Sequence, residues 1–195
     1  MQQEKIETHT VLMAGVGGKG VLTAGLLLAE AGTSLYPHVL WFPSYQAAKR
    51  GGPCECSVVL SQEEIASPVL SETETLIIMD KSQLKPFIGR LIKGGLLIID
   101  STGFKDEISS SDHQVMKIPA VEIAMSLQSL QSANLILLGA YVRLKHVLPA
   151  SIFEEQLKEQ FSGKERQLKT NLEAFDRGWQ LGEENYLVNP NLLSD

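Results

Sequence analysis

The segment Gly15-Val16-Gly17-Gly18-Lys19-Gly20 constrains this chain more than any other, because it stands between an apolar run and a helical one. Val11-Leu12-Met13-Ala14 reads as a short buried strand, and Val21 to Ala31 as a helix. A strand that turns through glycines into a helix leaves backbone N–H groups free at the helix start, where the dipole adds partial positive charge. Such a turn suits a phosphate or a carboxylate. It also marks the first crossover of an α/β fold.

Three readings of the turn are open. Gly15, Gly17 and Gly20 satisfy G-x-G-x-x-G, the dinucleotide pattern, which needs an acidic residue about 20 positions on to hold ribose hydroxyls. No Asp or Glu occurs between Glu30 and Glu55, so that site lacks its second anchor. A nucleoside triphosphate loop needs Gly-Lys-Ser/Thr. Here the order is Lys19-Gly20-Val21, and no hydroxyl is placed to hold magnesium. In the third reading the glycines only let the helix lie close on the sheet.

The rest of the chain alternates strand and helix signals. Val39-Leu40-Trp41-Phe42 leads into the polar segment Pro43–Arg50 and then Gly51-Gly52-Pro53, and Cys56 to Ser61 is a β-rich run. Leu76-Ile77-Ile78-Met79 and Leu96-Leu97-Ile98-Ile99 are wholly apolar and end in Asp80 and Asp100, each read as a cap for the turn that follows. Leu84 to Lys93 reads as a helix stopped by Gly94-Gly95, and Val115 to Ile118 as one more strand. Apolar runs of this kind predict one mainly parallel or mixed sheet covered by helices on both faces, a three-layer α/β fold. After Pro119 the character turns helical: Val121 to Leu144 as one long helix, then Ser151 to Phe161 and Lys164 to Glu183. Asn134, inside the long apolar helix, reads as a satisfied buried amide.

Composition narrows the function. A formal net charge of -6 argues against a nucleic-acid binder, which needs a basic stripe. No apolar stretch reaches the roughly 18 residues that span a bilayer, and the first residues lack the pattern of a signal peptide. The expectation is a cytoplasmic chain of one domain, residues 1–195. Its two cysteines, Cys54 and Cys56, cannot complete a zinc site or an iron–sulfur cluster, which usually take four ligands. No acid, base and nucleophile cluster along the chain, so no catalytic residue and no metal ligand is assigned.

The glycine loop with Val21-Leu22, then Trp41-Phe42-Pro43-Ser44-Tyr45, Arg50-Gly51-Gly52 and Cys56 to Ser61, resembles the gamma subunit of 2-oxoacid:ferredoxin oxidoreductases. Asn134 to Gly139 and Asn171 to Gly178 resemble the C-terminal helices of the same family, so the likeness runs from about residue 11 to residue 182. This chain has Lys19 where the family loop commonly has glutamine. The resemblance implies a multisubunit enzyme that oxidatively decarboxylates a 2-oxoacid, makes an acyl-CoA and reduces ferredoxin. Thiamine diphosphate and iron–sulfur clusters would lie in the alpha, beta and delta-type partner subunits, with none in this chain. Gly15, Gly17, Gly18, Lys19, Gly20, Arg50, Gly51 and Gly52 are the candidate binding residues, converging at the carboxyl end of the sheet and facing coenzyme A or a partner. Two other functions stay open on the residues: a freestanding nucleotide-binding oxidoreductase, and a scaffold subunit without a ligand.

Overall fold

The computed structural model describes residues 8–45, 51–103 and 112–188. Its central strand, β1 (Thr8–Val16), shows why the apolar run is unbroken: Val11 and Met13 enter the core on one face, Leu12 and Ala14 on the other. A strand buried on both sides has no polar alternation to show. With β2 (His38–Tyr45), β3 (Pro53–Ser61), β4 (Thr73–Ile78), β5 (Leu91–Asp100) and β6 (Gln114–Ile118) it forms one sheet in the order β2-β3-β1-β4-β5-β6.

β1, β4, β5 and β6 pair in parallel, whereas β3 lies antiparallel between β1 and β2. The runs near 11–14, 39–42, 76–79 and 96–99 therefore point one way, as expected, and β3 alone makes the sheet mixed. Its direction follows from chain length. β2 ends at Tyr45 and β3 begins at Pro53, too short a link for a parallel crossover, which takes about a dozen residues or more.

Helices cover both faces unequally. The larger core, under α1 (Val21–Gly32), α3 (Ala120–Ser126), α4 (Ala133–Lys145), α5 (Ala150–Gln160) and α6 (Glu165–Val188), takes Val11, Met13, Cys56, Ile77 and Ile98 from the sheet. On the other face Leu84, Phe87 and Ile88, in and beside the single turn α2 (Leu84–Phe87), pack on Leu12, Leu76, Leu97 and Ile99. α4 is buried on nearly every side because it is sandwiched by the other elements, and Phe153 of α5 stacks on Phe175 of α6 at 4.5 Å.

Two expected helices are corrected. Residues 84–93 do not form one helix: α2 lies between 3-10 turns at Lys81–Gln83 and Ile88–Arg90, and β5 has begun by Leu91. Pro86 supplies no backbone N–H, which removes one of the few hydrogen bonds a short helix could make. The span 121–144 also breaks, leaving α3, a 3-10 turn at Leu130–Ser132, and α4. Gln128 takes φ 56 at the break. Ser126 donates to the Ile123 carbonyl at 2.6 Å, and the Ser129 and Ser132 hydroxyls meet at 2.8 Å, so serines compete with the helical ladder there.

Both strand-terminal acids serve as caps. Asp80 accepts from the Ser82 N–H at 3.1 Å. Asp100 accepts from Thr102 N–H at 3.1 Å and from Val121 N–H at 3.4 Å, fastening β5 to the start of α3. No helix among the described residues is long and apolar enough to cross a membrane.

Candidate functional site

The turn after β1 is built by left-handed backbone. Gly18 has φ 94, and Gly20, the residue before α1, has φ 72. A side chain at Gly20 would be strained by that φ and would also strike Asn134, whose Nδ2 lies 2.5 Å from where a Cβ would sit. No side chain caps α1, and its first carbonyl-bonded amide is Ala24 N–H to Gly20 O at 2.9 Å. The amides of Val21, Leu22 and Thr23 thus stand at the positive end of the helix.

The second glycine segment meets the first. Gly17 N–H donates to Gly52 O at 2.9 Å, and a Cβ on Gly17 would come within 3.1 Å of Gly51 N. Gly51 itself has φ 72. The described ends of the two loops therefore touch at the carboxyl end of β1, where the antiparallel β3 begins.

Around this junction opens a cavity of about 1190 Å³, somewhat larger than the usual small-molecule site. Gly17, Gly18, Gly20, Gly51 and Gly52 line one side of it. Gly15 is not in the lining: a Cβ there would meet Val21 Cγ2 at 2.7 Å, so its role is to seat α1 on the sheet. Lys19 is half-buried next to the cavity without lining it. Arg50 lies outside the described residues.

The opposite side was not foreseen from sequence. It comes from the α3–α4 break and from α6, with Gln128, Gln131, Gln167 and Asn171 as amides and Arg166 as the one charged residue of the lining among the described residues. No carboxylate lines the cavity among the described residues. Asn134 joins the two sides: its Nδ2 donates to Gly20 O at 3.0 Å, and its Oδ1 accepts from Leu135 N–H at 2.9 Å. It is a satisfied buried amide, as expected, and it fixes the glycine turn to α4. Ser132 donates to Asn171 Oδ1 at 2.9 Å and carries the connection on to α6. An isolated asparagine in the apolar run was the one visible trace of this wall.

The two cysteines differ. Cys54 is half-buried and lines the cavity; Cys56 is fully buried, with its thiol directed to Val21 O at 3.4 Å. Burial pushes the Cys56 thiol up to about 12 and raises Cys54 as well. At pH 8 a thiol-disulfide reagent should therefore label Cys54 in the folded protein, and Cys56 only after unfolding. Equal rates for the two in native buffer would contradict this burial. The fold keeps the Cys56 proton that the unfolded chain loses near pH 9. Cys56 accordingly lowers stability as pH rises from about 9 toward 12, by about 1.4 kcal/mol per unit. No group of three or more potential metal ligands gathers among the described residues.

Fold and site together define an α/β domain whose mixed sheet presents a glycine-walled cavity, free of carboxylates among the described residues, at the start of its first helix. Residues 10–181 match the family of pyruvate ferredoxin/flavodoxin oxidoreductases, and the chain belongs to that family. It is 35% identical over 176 residues to ketoisovalerate oxidoreductase subunit VorA of Methanothermobacter thermautotrophicus, a match covering 90% of this chain and 36% of the relative. The chain thus spans about a third of that relative's length. The fold is shared with a keto/oxoacid ferredoxin oxidoreductase gamma subunit of Geobacter sulfurreducens (TM-score 0.76, 22% identity, 90% of this chain and 99% of the other). It is also shared with part of a 2-oxoglutarate:ferredoxin oxidoreductase from Magnetococcus marinus, solved with 2-oxoglutarate, coenzyme A and succinyl-CoA (TM-score 0.84, 24% identity, 91% and 31%).

Proposed function

We propose that this chain, residues 1–195 acting as a single unit with its core at about 11–182, is the gamma-type subunit of a cytoplasmic 2-oxoacid:ferredoxin oxidoreductase. The assembled enzyme oxidatively decarboxylates a 2-oxoacid to an acyl-CoA and passes electrons to ferredoxin. Thiamine diphosphate and iron–sulfur clusters belong to alpha, beta and delta-type partners. The observation that carries the reading is the family match over residues 10–181, in which both glycine segments fall and meet at the cavity.

Coenzyme A is the ligand this cavity suits. It is a polyanion, and the lining offers helix-start amides, hydroxyls, side-chain amides and an arginine, with no opposing carboxylate among the described residues. The chain's part is to bind and orient; Gly17, Gly18, Gly20, Gly51 and Gly52 let phosphate oxygens approach backbone amides, with Lys19 and Arg50 adding charge at the loop. The test is to co-purify the chain with its partners from the native host and assay ferredoxin reduction on several 2-oxoacids. Activity on none of them, in a complex containing the chain, would refute the role. In the same complex Arg50→Ala should weaken the apparent affinity for CoA about tenfold to a hundredfold, the value of one charge-assisted contact. Wild-type affinity and assembly would remove Arg50 from the site.

A further inference from the structure

Three elements meet at one thiol. Cys56 of β3 donates from Sγ to the carbonyl of Val21, the first residue of α1, at 3.4 Å. Gly25, one turn further along α1, lies directly over the sulfur. A Cβ there would strike Cys56 Sγ and would stand 3.1 Å from Trp41 Nε1 of β2. Glycine is unfavourable inside a helix; here it lets α1 settle onto the thiol and the indole. The Trp41 N–H is buried with no oxygen or nitrogen acceptor among the described residues. The group beside it is the Cys56 sulfur, with which its side chain hydrogen-bonds. Burial keeps that thiol protonated, so its donor is present at neutral pH. Neither Cys56 nor Trp41 lines the cavity.

The start of α1 depends on such a hold, because no side chain caps it. A peptide unit is planar, so fixing a carbonyl also fixes the N–H of the next residue. Gly20 O receives Ala24 N–H at 2.9 Å and Asn134 Nδ2 at 3.0 Å, which sets the plane carrying the Val21 amide. Val21 O receives the Cys56 thiol, and its plane carries the Leu22 amide. Two adjacent amides at the positive end of the helix are thus aimed by side chains from two different elements.

We propose that Cys56 is a positioning residue, whose hydrogen bond to Val21 O, with Trp41 beside the sulfur, aims the Leu22 amide at a bound anion. The inference rests on the reading of the cavity as a coenzyme A site, and adds to it residues that do not touch the ligand.

Three measurements test it. In the full chain carrying Cys54→Ser, where Cys56 is the only thiol, the infrared S–H stretch should lie at the frequency of a hydrogen-bonded thiol. In Cys56→Ala, amide hydrogen exchange at Ala24 and Gly25 should quicken about three- to tenfold, the loss of one neutral hydrogen bond, and Cys56→Ser should return it to within about twofold of the wild type. In the assembled complex Cys56→Ala should raise KM for CoA about three- to tenfold with KM for the 2-oxoacid unchanged, and Cys56→Ser should restore it. A free-thiol S–H frequency overturns the proposal, even if Cys56→Ala does not fold. So does a serine variant no better than alanine, or a KM for the 2-oxoacid that rises with that for CoA, the mark of a merely structural loss. If the wild-type complex does not respond to CoA, the coenzyme A reading fails by itself. The exchange at Ala24 and Gly25 then still decides whether Cys56 holds the turn.

Discussion

Gly178→Ala is expected to lower the stability of the chain by about 3 kcal/mol, the upper end of what overpacking a tight contact costs, and the melting temperature by about 6–12 °C for a chain of this size. α4 and α6 cross backbone to backbone: a Cβ on Gly178 would collide with the Ile136 carbonyl, and one on Gly139 with the Phe175 carbonyl. Carbonyl oxygens within helices cannot swing away as a side chain would. The substitution also gains about 1 kcal/mol of helix propensity, so the crossing must outweigh that gain. Gly89→Ala is the control, since a Cβ there meets nothing within 4 Å. Equal melting temperatures for the two variants would show that the helices can separate at no cost.

Asn134→Asp should be as damaging, by about 3–5 kcal/mol, because it leaves a buried charge unpaired. The change replaces the Nδ2 donor to Gly20 O with an oxygen of like partial charge, in a side chain that is 5% exposed. Asn134→Leu loses the same hydrogen bond without introducing charge and should cost less, about 1–3 kcal/mol. Urea unfolding of the three proteins checks the order. If Asp proves milder than Leu, the side chain does not hold the glycine turn. The Asp variant should also lose CoA affinity more severely than Leu, since it places a carboxylate in a lining that otherwise has none among the described residues.

Much of the site was legible because its chemistry is local. Glycines at 17, 18, 20 and 51 are dictated by positive φ or by close backbone approach, and both requirements act on the residue that meets them. Gly15 satisfied the same pattern for another reason, the seating of α1 against Val21 and Met79. A motif does not separate a glycine that lets a ligand approach from one that lets a helix approach. Arg166 and Gln128 left no sequence mark: they are polar residues at helix ends, where such residues are ordinary.

The sequence by itself determined the strands, since a run such as Leu96 to Ile99 can be buried on both faces only inside a covered sheet. It also determined the position of the glycine turn before α1. Those features depend on residues close along the chain, where periodicity acts directly, whereas the reversal of β3 follows from a short link whose ends, Tyr45 and Pro53, are set by the strand pairing. Tertiary structure alone decided that the helix expected over 121–144 would break at Gln128, and that the broken end would face α6 across the glycine turns. The physical reason is distance along the chain. Asn134 reaches Gly20 over 114 positions, and α6 lies against α4 because glycines on both helices let their backbones touch. No local pattern records a contact of that range, and the cavity exists only once both contacts are made.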